Sequence, residues 1–290
     1  MNGILLIDKE PGWTSNDVVS KLKGVLHERR IGHSGTLDPL ATGLLTVFVG
    51  RATRAVQFAE GHDKRYIAGL RLGMSTDTQD ITGKALRLSE VDCSETELRE
   101  AVSGFIGSIS QLPPMYSAIK INGQKLYDIA RKGGEVERRA RDISIYGIDI
   151  IGKNDDDWIL DVRCSKGTYI RTLCNDIGDA LGCGGCMSSL RRVSCGQFQI
   201  EDALTIGQVQ QYAQQGKAEE LLIPVDKLFS DAGMYTADAS GEKKIRCGND
   251  IRADVPDGLY RVYSESGEFL MLGRAEKSIM RTIKSFFEVC

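Results

Sequence analysis

No stretch of this chain approaches the roughly 18 consecutive apolar residues of a membrane-spanning helix, and Met1-Asn2-Gly3-Ile4 lacks a basic segment leading into a long apolar one. The protein is therefore expected to be cytoplasmic, with no membrane partner. A basic excess is missing too: 37 Lys and Arg stand against 40 Asp and Glu, a formal net charge of −3, which excludes indiscriminate adhesion to polyanions. Histidine is scarce, three in all and none beyond position 62. Cys183-Gly-Gly-Cys186 thus has the spacing of half a zinc site or of a redox motif, with no second Cys or His pair to complete a zinc site. No metal and no cofactor are expected. Cys93, Cys164, Cys174, Cys195, Cys247 and Cys290 are scattered through 290 residues, a length that buries a core without disulfide staples, and reduced thiols are expected. Internal repeats, low complexity and long linkers are also absent.

What is present is a globular chain of one large part and one small part. Gly3 to Asp8 reads as a buried strand, Ser15-Asn16-Asp17 caps a helix, and Leu44 to Val49 and Tyr66 to Leu72 read as strands around a Gly-rich loop at residues 32–43. A helix is expected over Glu95 to Phe105, strands over Ile143 to Ile150 and Trp158 to Cys164, and helices over Thr168 to Leu181 and Thr205 to Gln215. Past a boundary placed near residue 230, short strands with Gly turns dominate, including Gly258 to Tyr263 and Phe269 to Ala275. Interspersed helices and strands make the core mixed, and the pattern by itself goes no further. Charge is uneven along it: residues 1–75 carry 10 Lys and Arg against 7 Asp and Glu, residues 76–112 carry 3 against 7. A local basic groove is compatible with the acidic total.

The densest chemical signal is Gly32-His33-Ser34-Gly35-Thr36-Leu37-Asp38-Pro39-Leu40-Ala41-Thr42-Gly43, where glycines and a proline hold one carboxylate and one imidazole in a shaped loop. Asp before Pro often only closes its own turn. Two further segments argue for more: Asp63-Lys64-Arg65-Tyr66 and Ser165-Lys166-Gly167-Thr168-Tyr169-Ile170-Arg171 each join cations to an aromatic ring, as gripping an unstacked nucleotide requires. A pure RNA-binding protein or folding chaperone explains the cations. It leaves a carboxylate facing an anionic partner without a purpose. A nucleoside glycosidase would want a second acid opposite the first, and none is evident.

These three segments, together with Leu6-Ile7-Asp8-Lys9, Gln111-Leu112-Pro113-Pro114-Met115-Tyr116-Ser117-Ala118 and Leu190-Arg191-Arg192, resemble the hallmark segments of the TruB family of tRNA pseudouridine-55 synthases. The resemblance runs to about residue 230. It implies an α+β pseudouridine synthase fold, a mixed and mainly antiparallel sheet flanked by helices with the cleft across its middle. Residues 1–230 would form the catalytic domain, and 231–290 a small β-rich, PUA-like RNA-binding domain. It implies isomerisation of a T-loop uridine in tRNA, with Asp38 as the catalytic carboxylate, acting as nucleophile or as base at the sugar 2′ position; a monomer is expected, though the resemblance does not imply it. Arg171 matches the arginine that pairs with that carboxylate and keeps it ionised. Tyr66 matches a tyrosine that stacks on the base and takes part in removing the C5 proton, Tyr169 and Leu190 line the same pocket, and His33 fills the space that the extruded base vacates. Lys9, Lys64, Arg65, Arg191 and Arg192 are candidates for phosphate contacts. Arg138-Arg139-Ala140-Arg141, after Lys132-Gly133-Gly134, reads as a basic insertion that closes over the T stem-loop.

Overall fold

The computed structural model describes residues 1–288 apart from Ala118 and Asn122. Ala118, at the end of the Gln111 segment, and Cys290 thus lie outside the described residues. The chain runs through β1 (Gly3–Lys9), α1 (Ser15–Leu26), β2 (Ile31–Ser34), β3 (Thr42–Val49), α2 (Val56–Ala59) and β4 (Lys64–Leu72). A hairpin of β5 (Met74–Thr76) and β6 (Ala85–Leu88) leads to α3 (Glu95–Ser103) and β7 (Gly107–Gln111). The short β8 (Lys120–Ile121), β9 (Gln124–Lys125) and α4 (Leu126–Ala130) precede β10 (Arg141–Asn154), β11 (Asp157–Cys164), α5 (Ile170–Ala180), β12 (Gly185–Cys195), β13 (Phe198–Gln199) and α6 (Ile206–Gln214). The last part holds β14 (Gly233–Ala237), α7 (Ala239–Arg246), β15 (Ile251–Arg252), β16 (Gly258–Ser264), β17 (Phe269–Glu276) and β18 (Ile279–Ser285).

Local chemistry starts these elements. Thr14 and Asp17 form a reciprocal cap on α1, the Thr14 hydroxyl accepting from Asp17 N at 3.0 Å and the Asp17 carboxylate accepting from Thr14 N at 2.8 Å. Ser94 and Glu97 do the same for α3, and Thr205 and Gln208 for α6. Val18, Val19, Leu22 and Leu26 then form the buried face of α1. β1 is apolar from Gly3 to Ile7 because it is covered on both faces: Ile4 and Leu6 enter one buried cluster, Leu5 and Ile7 another. Each such side chain contributes on the order of 2 kcal/mol.

Nine strands form one sheet along the path β1-β3-β12-β4-β11-β10-β7, with β2 paired to β3 and β13 to β12. Every pairing in this sheet is antiparallel except β12 with β3, where Arg191 and Arg192 lie beside Thr42 and Gly43. A second sheet of five strands, β14-β16-β17-β18-β15, forms the β-rich C-terminal part. The fold is therefore α+β, as the resemblance implied. The two sheets are joined by a shared apolar cluster in which Ile4, Leu44 and Phe48 meet Leu228, Leu272 and Phe286. Among the described residues, no helix is long and apolar enough to cross a membrane.

One element differs from what the sequence pattern predicts, and one is not predicted by it at all. Residues 32–34, assigned to a loop, belong to β2, because an edge position on β3 pairs a short stretch whatever its glycine content. Residues 185–195 form the eleven-residue strand β12, in the interior of the sheet between β3 and β4, although they do not alternate in polarity.

Candidate active site

Asp38 sits in the loop between β2 and β3, which is pinned at several points. Buried Ser15, in the first turn of α1, accepts from Leu37 N at 2.9 Å and donates to Leu37 O at 3.2 Å. Ala41 N reaches Asp38 O at 3.1 Å, and Gly12 N reaches Pro39 O at 2.8 Å. Leu37 and Ala41 are buried in one cluster with Tyr66, Ile170 and Leu190, so the loop, β4, α5 and β12 converge there. Arg192 fastens the loop from β12, its Nε donating to Leu44 O at 2.7 Å and its Nη2 to Gly35 O at 2.9 Å. That close approach dictates Gly43, at φ 95°, where a Cβ would lie 2.3 Å from Arg192 O. The Asp38 carboxylate emerges from this frame 40% exposed.

Its partner is Arg171, in the first turn of α5 and 5% exposed. Nη2 lies 3.1 Å from Asp38 Oδ2 and donates to Tyr116 O at 2.7 Å. Nη1 donates to Thr78 O at 3.2 Å and lies 3.6 Å from Asp80 Oδ2. One guanidinium is thus shared by two carboxylates, with its remaining hydrogen bonds spent on carbonyls. Burial pushes the Asp38 carboxyl above its ordinary range; the Arg171 guanidinium and the Lys9 ammonium oppose this, and the Asp80 charge reinforces it. The expected ionising effect of Arg171 is present but smaller than the desolvation.

Asp80 is a residue that the sequence reading missed. It is 5% exposed and accepts from Thr78 Oγ1 at 2.9 Å, Thr82 N at 3.0 Å and Thr82 Oγ1 at 2.5 Å. Its segment, Thr76-Asp77-Thr78-Gln79-Asp80-Ile81-Thr82-Gly83, is dense in turn residues, and nothing in it signals that it will meet Arg171.

Lys9 and Arg192 require correction. Proposed as phosphate contacts, they are 0% and 1% exposed. Lys9 Nζ donates inward, to Trp13 O at 2.7 Å and Glu10 O at 2.9 Å, and burial lowers its pKa to about 8 against the pull of Asp38. Both cations are built into the frame around the loop and neither is presented to solvent. Arg191 is 43% exposed and pairs with Asp8 at 2.7 Å; Arg65 is 50% exposed and pairs with Asp161 at 2.5 Å. Lys64, half-buried, donates to His62 O at 2.6 Å, and a Cβ on Gly35 would lie 3.5 Å from its Cε, which puts it beside the loop.

Tyr66 is buried on β4, and desolvation pushes its phenol up to about 12, which keeps the hydroxyl protonated near neutral pH. Tyr169 precedes α5, its backbone clamped by Gln111, whose Oε1 accepts from Tyr169 N at 2.8 Å and whose Nε2 donates to Tyr169 O at 3.0 Å. Leu190 is a buried strand residue beside Ala68 of β4. His33, half-buried on β2, leaves its Nδ1 without a hydrogen-bond partner among the described residues. Burial and the neighbouring Arg192 charge lower its pKa, which makes it a neutral ring suited to stacking. In the basic insertion, Arg138 folds back onto Pro113 O at 3.1 Å, while Arg139 is exposed.

Residues 23–170 match the model of the TruB family pseudouridylate synthase N-terminal domain, and residues 171–230 match that of the tRNA pseudouridylate synthase B C-terminal domain. Among similar proteins is a tRNA pseudouridine synthase B of Alkaliphilus oremlandii, 48% identical over 87% of this chain and 83% of its own. That of Clostridium kluyveri is 41% identical over 99% of this chain and 100% of its own. Among solved structures, a Cbf5-Nop10-Gar1 complex contains a chain 27% identical, with TM-score 0.75 over 99% of this chain and 85% of that one. An H/ACA RNP bound to a substrate RNA containing 2′-deoxyuridine contains one 25% identical, with TM-score 0.74 over 99% of this chain and 86% of that one.

Proposed function

Because this chain belongs to the TruB family of pseudouridylate synthases, we infer that it isomerises the T-loop uridine of tRNA to pseudouridine. The observation that carries the chemistry is the Asp38 carboxylate, presented from a pinned loop and paired to a buried arginine at 3.1 Å. Isomerisation breaks the C1′–N1 bond, rotates the uracil and joins C1′ to C5; C5 loses a proton and N1 gains one, so nothing is consumed and the reaction calls for no cofactor. Asp38 serves as nucleophile or as base at the sugar 2′ position, and both roles need its ionised form beside the glycosidic bond. The arginine supports that form against desolvation.

The target base must leave its stack, at a cost of a few kcal/mol. The neutral His33 ring suits the space left behind, Tyr66 and Tyr169 offer surfaces for the flipped uracil, and Leu190 closes the pocket against its edge. With a phenol pKa of about 12, Tyr66 stacks and donates a hydrogen bond in this reading. Lys64, Arg65 and Arg191 face the RNA backbone, and the basic insertion closes on the T stem-loop. The protein acts as a cytoplasmic monomer, with a catalytic domain ending at residue 230 and a PUA-like domain from 231 adding RNA contacts.

Tritium release from unmodified tRNA labelled at uridine C5 tests the reading. The protein releases tritium from the T-loop uridine and the Asp38→Asn variant does not. Release by neither, with tRNA still bound, would make the protein a tRNA-binding chaperone instead.

A further inference from the structure

Gln79 stands at φ 64°, a left-handed backbone that any side chain beyond glycine adopts at a cost. Three contacts hold it there. Its side-chain carbonyl accepts from Thr172 Oγ1 at 2.8 Å, and Thr172 is buried next to Arg171 on α5. Its backbone carbonyl accepts from Met187 N of β12 at 3.0 Å, and its backbone N–H reaches Thr76 O at 3.2 Å. The turn is therefore tied to the helix that carries Arg171 and to the strand that carries Leu190.

The two neighbours of Gln79 are the groups that hold one end of the guanidinium. Thr78 O and the Asp80 carboxylate both meet Arg171 Nη1, while Nη2 faces Asp38 and Tyr116 O. A left-handed residue between positions 78 and 80 turns a backbone carbonyl and a side chain toward the same nitrogen. A guanidinium is planar and rigid, so fixing Nη1 fixes where Nη2 points. We propose that Gln79, locked by Thr172, is a positioning residue for the isomerisation, acting through Arg171 on Asp38.

The proposal rests on the reading of the chain as a pseudouridine synthase, and its test separates the two. Single-turnover tritium release and tRNA affinity are measured for the parent, Gln79→Gly, Thr172→Val and Thr172→Ser. Glycine adopts the left-handed backbone freely, so Gln79→Gly removes the amide while relieving the turn, and it keeps the parent's melting temperature or exceeds it. The rate constant falls about tenfold in Gln79→Gly and Thr172→Val, with tRNA affinity unchanged. Thr172→Ser, which retains the hydroxyl, recovers most of the loss. The acid limb of the pH–rate profile moves to higher pH in the two slow variants, because Arg171 opposes the desolvation of Asp38 less well while Lys9 and Asp80 still face it. Rate constants within twofold of the parent, or a loss confined to tRNA affinity, overturn the proposal and leave the enzyme reading intact. Absence of release by the parent overturns both.

Discussion

Replacing Lys9 by methionine separates the cost of a buried charge from its use. The ammonium is fully buried, with a pKa of about 8 in place of its ordinary 10.5. A depression of that size amounts to about 3 kcal/mol of destabilisation while the lysine is charged. The substitution removes that cost but leaves Trp13 O and Glu10 O without their donor, a loss of about 1–3 kcal/mol, so the two proteins have similar stability near neutrality. The pH dependence is the sharper observable. A lysine with a lower pKa folded than unfolded binds fewer protons folded between those values, so the parent gains stability as pH rises from about 8 to 10.5. Between about pH 7 and about pH 9.5 the parent should gain about 2 kcal/mol relative to Lys9→Met. Urea unfolding at both pH values, followed by tryptophan fluorescence, measures that gap; other titrating groups cancel in the difference. A gap that changes by less than about 0.5 kcal/mol would refute the reasoning, because it would mean that Lys9 is solvated and titrates near its ordinary value in the folded protein.

Activity should fall on the acid side at a pH above the ordinary carboxylate value of 3.8, since burial raises the Asp38 carboxyl; a pH–rate profile checks this, and a limb at or below that value would contradict it. Arg171→Lys keeps the charge but cannot serve two carboxylates and two carbonyls at once, so single-turnover release should drop about a hundredfold with the acid limb moved upward. Gly43→Ala places a Cβ 2.3 Å from Arg192 O at φ 95° and should lower stability by more than about 2 kcal/mol in thermal melts. Arg65→Ala should weaken tRNA binding and reduce the slope of log affinity against log salt by about 0.8; an unchanged slope would place Arg65 away from the phosphates.

The chemistry was more legible in the sequence than its support. The Gly-rich loop announces a shaped backbone around Asp38, and capping pairs such as Thr14–Asp17 lie close enough in sequence to be seen. The strand β12 was not legible, because Met187, Leu190, Arg191 and Arg192 do not alternate in polarity; a strand flanked on both sides in the sheet, with its arginines used as internal fasteners, breaks the period on which the reading depends. Lys9 and Arg192 read as surface charge for a related reason. A cation is assigned to solvent unless its acceptors are known, and theirs are backbone carbonyls, which every sequence supplies everywhere. Asp80 needed the third dimension alone: its meeting with Arg171 depends on how α5 packs across the turn.

The place of β12 between β3 and β4 also bears on when the enzyme comes into being. During synthesis the loop with Asp38 and the strand with Tyr66 emerge early, yet they belong to strands that do not pair with each other. The strand that bridges them starts at Gly185 and brings Arg192 to latch Gly35 O. A nascent chain therefore holds two unjoined half-sites for most of its elongation. Closure waits on insertion of a late strand, a long-range step of the kind that slows folding. A ribosome-bound chain shorter than about 185 residues therefore lacks the strand that joins the two halves of the site.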